Sequence, residues 1–327
     1  MRYRNLGREN LKVSVIGYGC PTFSGQPKAD YEANAIAILH RAQDLGVTYI
    51  DSADHNEGNN ELILAKAFKG RWDKVVVSTK VGNRKSWPGS DRDVDGRPES
   101  LTRLCEESLT RFGTDCIDLL YLHRVDPAVP IEDSIGALQR LVVAGKARHI
   151  GMSEAGPQTL KRGNAVHPIT AVQSEYSLWT REYEADTLPA ADALGIGFVA
   201  YYPMGRGFLS GAIASLDDLP EKDARRKLPR FEKDNFAKNL ELLARFKTLA
   251  ANKGCTPSQL ALAWLVHQKP TVVPIPGTLT MAHLEENAAA AEVALTAEEM
   301  VAIDRIFPVT GVAGPRFGED RSKELNI

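Results

Sequence analysis

The sequence predicts an α/β fold, a (β/α)8 TIM barrel with an N-terminal β-hairpin plug, which forms one domain over residues 1–327. Short apolar runs alternate along the chain with longer stretches of helical periodicity, the pattern of βα units around a parallel sheet. Eight such runs occur, and the chain exceeds the roughly 250 residues typical of a barrel. A doubly wound open sheet is the alternative, but no Gly-x-Gly-x-x-Gly motif follows the first strand.

The predicted elements begin with a hairpin and continue with eight strands. The segment YRNLGRENLKVS, which starts at Tyr3, resembles a hairpin, and we expect it to close the bottom of the barrel. The strands are short and rich in β-branched and aromatic residues, as VTYI at 47–50 illustrates. Their predicted ranges are 13–18, 47–50, 75–79, 117–122, 147–151, 170–173, 196–200 and 271–275.

Helical patterns lie between these strands, and several begin next to a hydroxyl residue such as Ser100 or Ser134. One long connection has a different composition. Residues 203–235 are highly charged and interrupted by Gly and Pro, which predicts a long functional loop. The predicted helices cover residues 30–45, 58–69, 99–112, 132–144, 182–194 and 256–268.

Composition and charge exclude several classes of protein. Hydrophobic residues make up 43% of the chain and charged residues 25%, which fits a globular protein with a substantial core. The formal net charge is -2 with both signs mixed along the chain, so we expect no nucleic-acid partner. The N-terminal MRYRNLGREN lacks the apolar centre of a signal peptide, and no apolar run reaches the roughly 18 residues of a membrane span. We therefore expect a cytoplasmic protein without a membrane partner.

The four cysteines predict neither a disulfide framework nor a metal site. Cys20, Cys105, Cys116 and Cys255 are far apart in sequence, and the chain contains no Cys-x-x-Cys motif. No histidine lies at metal-ligand spacing from them. We expect free thiols in a reducing compartment and no structural metal.

Residues that directly follow the strands of a barrel meet at one end of it, where barrel enzymes build their active sites. Three residues of this set are ionisable: Asp51, Lys80 and His123. A lone lysine after a strand is usually a solvated cation and a lone histidine usually a packing residue, but three at one end indicate catalysis. The complete set is Gly19, Cys20, Asp51, Lys80, His123, Ser153, Glu154, Gln173, Tyr201, Pro276 and Gly277.

Separated motifs over almost the whole chain resemble the aldo-keto reductase family. They are IDSAD at 50–54, VVVSTKVG at 75–82, DLLYLHRVDP at 118–127, VVAGKARHIGMSEA at 142–155, VQSEYSLWTR at 172–181, FVAYYPMGRGFLSG at 198–211 and PIPGTLTMAHLEEN at 274–287. The GRGFL segment followed by a charged loop is similar to the open-loop group of that family. The resemblance implies a single barrel domain and a nicotinamide-dependent interconversion of a carbonyl and an alcohol.

The same resemblance implies four catalytic positions, of which one departs from the family. Asp51, Lys80 and His123 match, whereas Asn56 stands where the family has tyrosine. When hydride reaches the carbonyl carbon, the oxygen must receive a proton from an acid tuned toward neutrality. A nearby ammonium lowers the pKa of a phenol and so performs this tuning. Asparagine donates hydrogen bonds but does not titrate, and it cannot replace that acid.

Three accounts of Asn56 follow from the sequence. It is an engineered substitution that traps a complex, a natural change in an enzyme whose acid is His123 or His55, or the mark of a protein that binds cofactor without ordinary reduction. Loss of one positioned acid lowers a rate by about 10²- to 10⁴-fold, so turnover need not vanish. We therefore expect a weakened oxidoreductase. A nicotinamide-binding regulatory or partner subunit, as the potassium-channel β subunits are, is the alternative.

Family resemblance also assigns the cofactor contacts. It places Ser153, Glu154 and Gln173 at the nicotinamide carboxamide and Tyr201 against the flat face of the ring. The pyrophosphate path follows Tyr202, Met204, Arg206 and Gly207, with Gly19 and Cys20 at the mouth. The adenosine end is expected at Gly277 to His283, with Glu286 and Asn287 reaching the adenine.

Two residues at the adenosine end bear on the choice of cofactor. Relatives that prefer NADP(H) carry Lys or Arg just after PGT, where a cation pairs with the 2'-phosphate. This chain has Leu279 and Thr280 there, and Arg206 and the weak base His283 are the candidates to compensate. NADP(H) is the cofactor that the resemblance implies, and NAD(H) is the competitor.

The expected substrate is a small-molecule carbonyl or alcohol. By resemblance, Phe23, Trp87, Arg124 and Trp179 line the mouth of the barrel and suggest a cavity with apolar walls. Loops set specificity on this fold, so the sequence leaves the substrate and the oligomeric state open. A barrel lyase or isomerase without nicotinamide would need metal or phosphate ligands at the strand ends, and the sequence offers neither.

Overall fold

The computed structural model describes residues 1–21, 28–53, 55–83 and 94–318, without the side chains of residues 28–30 and 55–57. Two predicted substrate contacts, Phe23 and Trp87, lie outside the described residues. The side chain of Asn56 also lies outside this description, although its backbone belongs to a helix.

A sheet of eight parallel strands forms the centre of the molecule. Each strand pairs in parallel with the next one along the chain. The ring closes between the first and the last strand, where the Gly17 amide donates to the Pro274 carbonyl at 2.9 Å and the Gly19 amide to the Pro276 carbonyl at 3.4 Å. The strands are β3 (Tyr18–Gly19), β4 (Tyr49–Asp51), β5 (Val76–Val81), β6 (Ile117–Leu122), β7 (Ala147–Ser153), β8 (Ala171–Glu175), β9 (Gly197–Tyr201) and β10 (Val272–Pro274). The predicted α/β barrel is confirmed.

The predicted hairpin is present and lies at the bottom of this barrel. Strands β1 (Tyr3–Leu6) and β2 (Leu11–Ser14) pair in antiparallel register. Leu6 and Val13 are fully buried and pack with inward-facing side chains of the barrel strands. Gly197 admits this approach because a Cβ there would lie 2.3 Å from Leu6 Cδ1.

One predicted strand, 13–18, was wrong in its bounds. The apolar run VSVIGY is shared by two elements, since β2 ends at Ser14 and β3 begins at Tyr18. The hydroxyl of Ser14 accepts from the amide of Thr48 at 3.0 Å and donates to the carbonyl of Ile16 at 2.7 Å. These bonds turn the chain from the hairpin into the barrel, and no hydrophobic pattern marks such a turn.

Ten α-helices occur among the described residues. Four of them, Pro157–Val166, Lys233–Lys253, Met281–Ala289 and Ala297–Ile306, were not predicted. The range predicted at 182–194 is divided into a 3-10 turn and α6, which Asp186 caps by accepting from the Thr187 amide. The helices are α1 (Lys28–Asp44), α2 (His55–Ala67), α3 (Pro98–Phe112), α4 (Ile131–Val143), α5 (Pro157–Val166), α6 (Thr187–Leu194), α7 (Lys233–Lys253), α8 (Pro257–Gln268), α9 (Met281–Ala289) and α10 (Ala297–Ile306).

The charged connection between β9 and α7 is ordered by four short 3-10 turns, and α7 begins at Lys233. An aromatic cluster anchors it. The rings of Trp179 and Phe231 stack with centroids 5.5 Å apart, and Phe231 stacks on Phe236 at 5.9 Å. None of the helices in the described ranges is long and apolar enough to cross a membrane.

Candidate active site

A cavity of about 900 Å³ opens at the carboxyl ends of the barrel strands. The structure brings most of the sequence-predicted site residues to its wall, including side chains from β4, β5 and β8 and from the β9–α7 connection. The predicted residues that line it are Gly19, Cys20, Asp51, Lys80, His123, Arg124, Ser153, Gln173, Tyr201, Tyr202, Met204, Arg206, Gly207, Gly277, His283, Glu286 and Asn287.

A buried ion pair lies at the floor of the cavity. Lys80 Nζ donates to Asp51 Oδ2 at 2.6 Å and to the carbonyl of Ser52 at 2.6 Å. The carboxylate also accepts from Ser78 Oγ at 2.7 Å and from Gln173 Nε2 at 2.9 Å. Because β4 and β5 pair Asp51 with Ser78, the register of the sheet fixes the carboxylate beside the lysine. The ammonium is therefore held in one place, with its charge compensated.

Two tyrosines lie beneath this pair. The hydroxyls of Tyr49 and Tyr121 are 3.1 Å apart, and the Tyr49 hydroxyl lies 3.1 Å from Ser78 Oγ. Burial, reinforced by the charge of Asp51, raises the pKa of the Tyr121 phenol far above its usual value. Both tyrosines are fully buried and do not line the cavity. Neither is placed to act as an acid toward a bound substrate.

His123 follows β6 directly and is only 4% exposed. Its amide donates to the carbonyl of Val81 at 2.8 Å, which continues the β5–β6 ladder by one residue and fixes the imidazole at the cavity wall. The neighbouring guanidinium of Arg124 donates through Nη1 to the His123 carbonyl at 2.7 Å and to Ser153 Oγ at 3.0 Å. The carboxyl ends of β6 and β7 are thereby tied together.

The side of the cavity where the barrel closes is built from small residues. A Cβ at Gly277 would lie 2.5 Å from the carbonyl oxygen of Gly19, so the close approach of the two segments requires glycine. The amide of Cys20 donates to the Asp51 carbonyl at 2.8 Å. Burial, together with the charge of Asp51, raises the pKa of the Cys20 thiol well above its usual value. The thiol is therefore protonated at neutral pH and is not an activated nucleophile.

The adjoining wall, above β9, carries aromatic and basic residues. The rings of Tyr201 and Tyr202 meet edge to face with centroids 5.1 Å apart. Arg206 Cζ lies 4.2 Å from the centroid of the Tyr202 ring, and Arg206 Nη2 donates to Glu175 Oε2 at 2.6 Å. Tyr202 and Arg206 have left-handed backbones, with φ of 48° and 57°. Non-glycine residues in this region are uncommon and concentrate at functional sites.

Sequence reasoning missed the charged and aromatic lining residues Arg225 and Phe317, and it also missed Arg316, which lies behind this wall. Arg225 lines the cavity, donates to the Arg206 carbonyl at 2.9 Å and pairs with Asp223 at 2.7 Å. It belongs to the run DARRKLPR, within the segment that the sequence predicts as a charged loop. Phe317 also lines the cavity, but it belongs to the C-terminal segment, for which no sequence signal was available.

Arg316 lies just behind the cavity wall and is almost fully buried. Its guanidinium donates to the Tyr201 hydroxyl at 2.7 Å and to the Tyr183 hydroxyl at 2.8 Å. It also donates to Glu154 Oε1 at 3.0 Å and to Glu175 Oε2 at 3.0 Å. One arginine from the C-terminal segment thus joins four side chains, from β8, β9, the residue after β7 and the 3-10 turn before α6.

Four predicted contacts do not line the cavity. Glu154 is 1% exposed, and although burial opposes its ionisation, Arg316 lowers the pKa of this carboxyl. Trp179 lies beneath the β9–α7 connection. Leu279 packs against the core, and Thr280 is exposed at the start of α9. Where the sequence predicts the adenosine end, the cavity is lined instead by Gly277, Thr278, His283, Glu286 and Asn287.

Solved structures of similar architecture were found. A thermostable aldo-keto reductase, Tm1743, in complex with the inhibitor epalrestat has 28% sequence identity and a TM-score of 0.76 over 94% of this chain and 100% of its own. The glycerol dehydrogenase AKR11B4 from Gluconobacter oxydans has 29% identity and a TM-score of 0.86, covering 96% and 97%. The aldo-keto reductase AKR11C1 from Bacillus halodurans, in its holo form, has 29% identity and a TM-score of 0.80, covering 95% and 97%.

Sequence comparison agrees with the structural similarity. The family model described as Aldo/keto reductase family matches residues 15–307, which is most of the chain. Family and neighbours support an oxidoreductase that acts on carbonyls and alcohols, and such proteins typically bind a nicotinamide cofactor. Among the residues that the structure describes, no group of three His, Cys, Asp or Glu is arranged as metal ligands. This chain belongs to the aldo/keto reductase family.

Proposed function

We propose that this protein is a nicotinamide-dependent oxidoreductase that interconverts a small-molecule carbonyl, such as an aldehyde, ketone or keto-sugar, and the corresponding alcohol. The observation that carries the proposal is the Lys80 ammonium, fixed by Asp51 at 2.6 Å in the same cavity as His123. We further propose that turnover is weakened, because Asn56 occupies the position of the acid.

The described residues fit a nicotinamide dinucleotide. Ligand cavities commonly measure roughly 300 to 1,000 Å³, and this one reaches about 900 Å³. Ser153 and Gln173 offer polar groups for a carboxamide, Tyr201 offers a ring face, and Arg206 and Arg225 offer cations for phosphates. When bound in its reduced form, the cofactor supplies hydride to the carbonyl carbon. The balanced reaction is carbonyl plus NAD(P)H plus one proton, giving alcohol plus NAD(P)⁺.

The residues of the chain would hold the substrate oxygen and stabilise its developing charge. His123 orients the oxygen at the cavity wall, and the fixed ammonium of Lys80 stabilises negative charge on it as the alkoxide forms. Asn56 can donate a hydrogen bond but cannot deliver a proton, so the proton comes from His123 or from water beside Lys80. This slower delivery is the physical reason for the proposed weakness.

We infer the preference between the two cofactors from the basic residues that line the cavity. We retain NADP(H) as the proposed cofactor because Arg206 and Arg225 line the same cavity as His283. NAD(H) remains the competitor, because both arginines already pair with carboxylates, Arg206 with Glu175 and Arg225 with Asp223.

The proposal is tested by titrating the purified protein with NADPH and NADH while following the fluorescence of the reduced cofactor, and then adding a panel of aldehydes. We expect saturable binding and slow oxidation of the cofactor. Asp51→Asn, which leaves Lys80 without its counter-ion, should lower turnover while binding persists. Absence of binding for both cofactors would overturn the proposal.

A second candidate is a nicotinamide-binding regulatory or partner subunit with little turnover. The observation that favours it is Asn56 itself, since a protein that does not need a proton donor can lose one. The two candidates differ in the aldehyde panel. Binding without turnover on any aldehyde, both in the natural protein and after Asn56→Tyr, would support the regulatory role and exclude the enzymatic one.

A further inference from the structure

One cation of the cavity differs from the others. Lys80 pairs with Asp51, Arg206 with Glu175 and Arg225 with Asp223, each with a nitrogen–oxygen distance of 2.6 or 2.7 Å. Arg124 lines the same cavity, but within the described ranges no carboxylate lies within 4.0 Å of its guanidinium.

The hydrogen bonds of Arg124 fix the direction of its guanidinium. Nη1 donates to the His123 carbonyl at 2.7 Å and to Ser153 Oγ at 3.0 Å. Nε and Nη2 make no hydrogen bond to a described residue. A planar guanidinium oriented on one nitrogen presents the other N–H groups as a rigid fork, which suits a carboxylate or a phosphate. Among the described carboxylates, Glu154 is affected by the charge of Arg124 but is paired with Arg316. An anionic ligand would therefore offset part of the cost of this half-buried charge.

Its place in the cavity separates Arg124 from the cofactor phosphates. Arg206 and Arg225 belong to the β9–α7 connection, whereas Arg124 directly follows His123 and contacts the end of β7. Arg124 is thus at the end of the cavity where the carbonyl is proposed to react. An anion bound by Arg124 would be part of the substrate.

We propose that Arg124 selects carbonyl substrates that carry an anionic group, a carboxylate or a phosphate, near the reacting carbon. This inference rests on the proposed function. The reaction is unchanged: hydride and one proton convert the aldehyde to the alcohol, NAD(P)H becomes NAD(P)⁺, and the anionic group remains intact throughout. Arg124 is a specificity-determining residue in this proposal, and it takes no part in the proton transfer.

The first experiment measures binding, so that it does not depend on turnover. The complex with reduced cofactor is titrated with benzoate, phenyl phosphate and the neutral benzamide, and quenching of the cofactor fluorescence is followed. One charge-assisted hydrogen bond changes an affinity by roughly tenfold to a hundredfold. Arg124→Gln should therefore lower the affinity for one or both anions by that factor relative to the affinity for benzamide. Arg124→Lys should recover part of the lost affinity. The anion whose affinity falls more in Arg124→Gln identifies the preferred anionic group.

The second experiment compares kcat/KM for 4-formylbenzoate, 4-formylphenyl phosphate and methyl 4-formylbenzoate, in the natural protein and after Asn56→Tyr. The ratio of kcat/KM for an anionic substrate to kcat/KM for the neutral ester should fall in Arg124→Gln. Arg103→Gln is the matched control, because Arg103 is an exposed arginine on α3 that pairs with Glu107. Its ratio should not change.

The outcomes separate the two proposals. If cofactor binds but the anion-to-neutral ratio of affinities is the same in the natural protein and in Arg124→Gln, the inference is wrong and the proposed function stands. The same holds if Arg124→Gln weakens all ligands equally, because Arg124 then serves the cofactor or the local structure. If neither cofactor binds the natural protein, the proposed function is wrong and the inference falls with it.

Discussion

At the scale of single residues, the site depends on a buried ion pair. Removal of either partner is expected to destabilise the protein strongly. Lys80 and Asp51 are 5% and 6% exposed, and the carboxylate accepts from Lys80, Ser78 and Gln173. Removing one partner of a buried pair typically costs about 3 to 5 kcal/mol, because the other charge is left uncompensated. Replacing a whole buried pair by apolar residues is often neutral or stabilising. The presence of this pair in a cavity with His123 is therefore better explained by chemistry than by stability. Asn56, which stands at the position of the family's proton donor, is therefore the residue whose substitution best tests this chemistry.

The first prediction concerns that residue. Asn56→Tyr should raise kcat on simple aldehydes by about 10²-fold or more, the lower end of what a positioned acid supplies, because Lys80 would lower the pKa of the new phenol. Steady-state kinetics with saturating cofactor measure the change. Asn56→Phe is the matched control, because it supplies the ring without the hydroxyl. Equal rates for the two variants, or high turnover of the natural protein that Asn56→Tyr does not alter, would contradict the prediction.

The second prediction concerns the choice of cofactor. Thr280→Lys or Leu279→Lys should tighten NADPH relative to NADH by roughly tenfold to a hundredfold, because a new ammonium can pair with the 2'-phosphate. Dissociation constants for both cofactors, measured by fluorescence titration, give the ratio. Ala289→Lys places the same charge at the far end of α9 and should leave the ratio unchanged. If all three lysines have the same effect, the adenosine does not bind at the start of α9.

At the scale of elements, the C-terminal segment after α10 is part of the site architecture. Asn239 on α7 holds this segment by two hydrogen bonds to the backbone of Ala313. The Ala313 amide donates to Asn239 Oδ1 at 2.9 Å, and Asn239 Nδ2 donates to the Ala313 carbonyl at 3.1 Å. Arg230 Nε donates to the Gly314 carbonyl at 3.1 Å. These contacts bring Arg316 to Tyr201 and place Phe317 at the cavity. A segment outside the eight βα units therefore completes one wall.

The third prediction tests this segment. Arg316→Met should lower the free energy of unfolding by about 3 to 5 kcal/mol, because Glu154 would remain buried without its cation while Glu175 would keep only Arg206. Urea denaturation followed by circular dichroism measures the loss. Arg305→Met, at an exposed arginine of α10, is the control and should change stability little. Adding Glu154→Gln to Arg316→Met should recover part of the loss, and a loss no larger than that of Arg305→Met would contradict the assigned role.

At the scale of the whole molecule, the two ends of the barrel have different tasks. The hairpin closes the bottom with apolar side chains, since Leu6 and Val13 belong to one buried cluster with residues of the barrel strands such as Val199. The cavity with its charged groups lies at the other end, at the carboxyl ends of the strands. A fold that separates closure from chemistry in this way allows the loops to change substrate without loss of the core.

The fourth prediction follows from that separation. Leu6→Ala should destabilise the protein by about 2 to 5 kcal/mol, because it leaves a cavity at a fully buried position, and should leave kcat/KM nearly unchanged. Thermal and urea denaturation measure the first effect, and steady-state kinetics below the melting transition measure the second. Leu62→Ala removes a leucine side chain that is 45% exposed and should have a much smaller effect on stability. A large loss of activity at full folding would show that the two ends are coupled.

The sequence by itself determined the barrel, the hairpin and the ends of seven of the eight strands to within about two residues. The reason is that a parallel strand buried on both faces must be a short apolar run, and the residue after it must be at the mouth of the barrel. Asp51, Lys80, His123 and Gln173 could be brought together on that rule alone. The position of a residue along a strand depends on its neighbours in the sequence, so it can be predicted from the sequence.

The tertiary structure alone decided which side chains beyond the strand ends reach the cavity. Glu154 follows β7, as a cavity residue should, but it turns to Arg316, which lies 162 positions further along the chain. Trp179 stacks on Phe231, and Arg225 reaches the cavity wall from the middle of a loop. A charged or aromatic side chain goes to the partner that best compensates its charge or covers its surface. Since that partner comes from a distant part of the chain, only the folded molecule determines the direction that such a side chain takes.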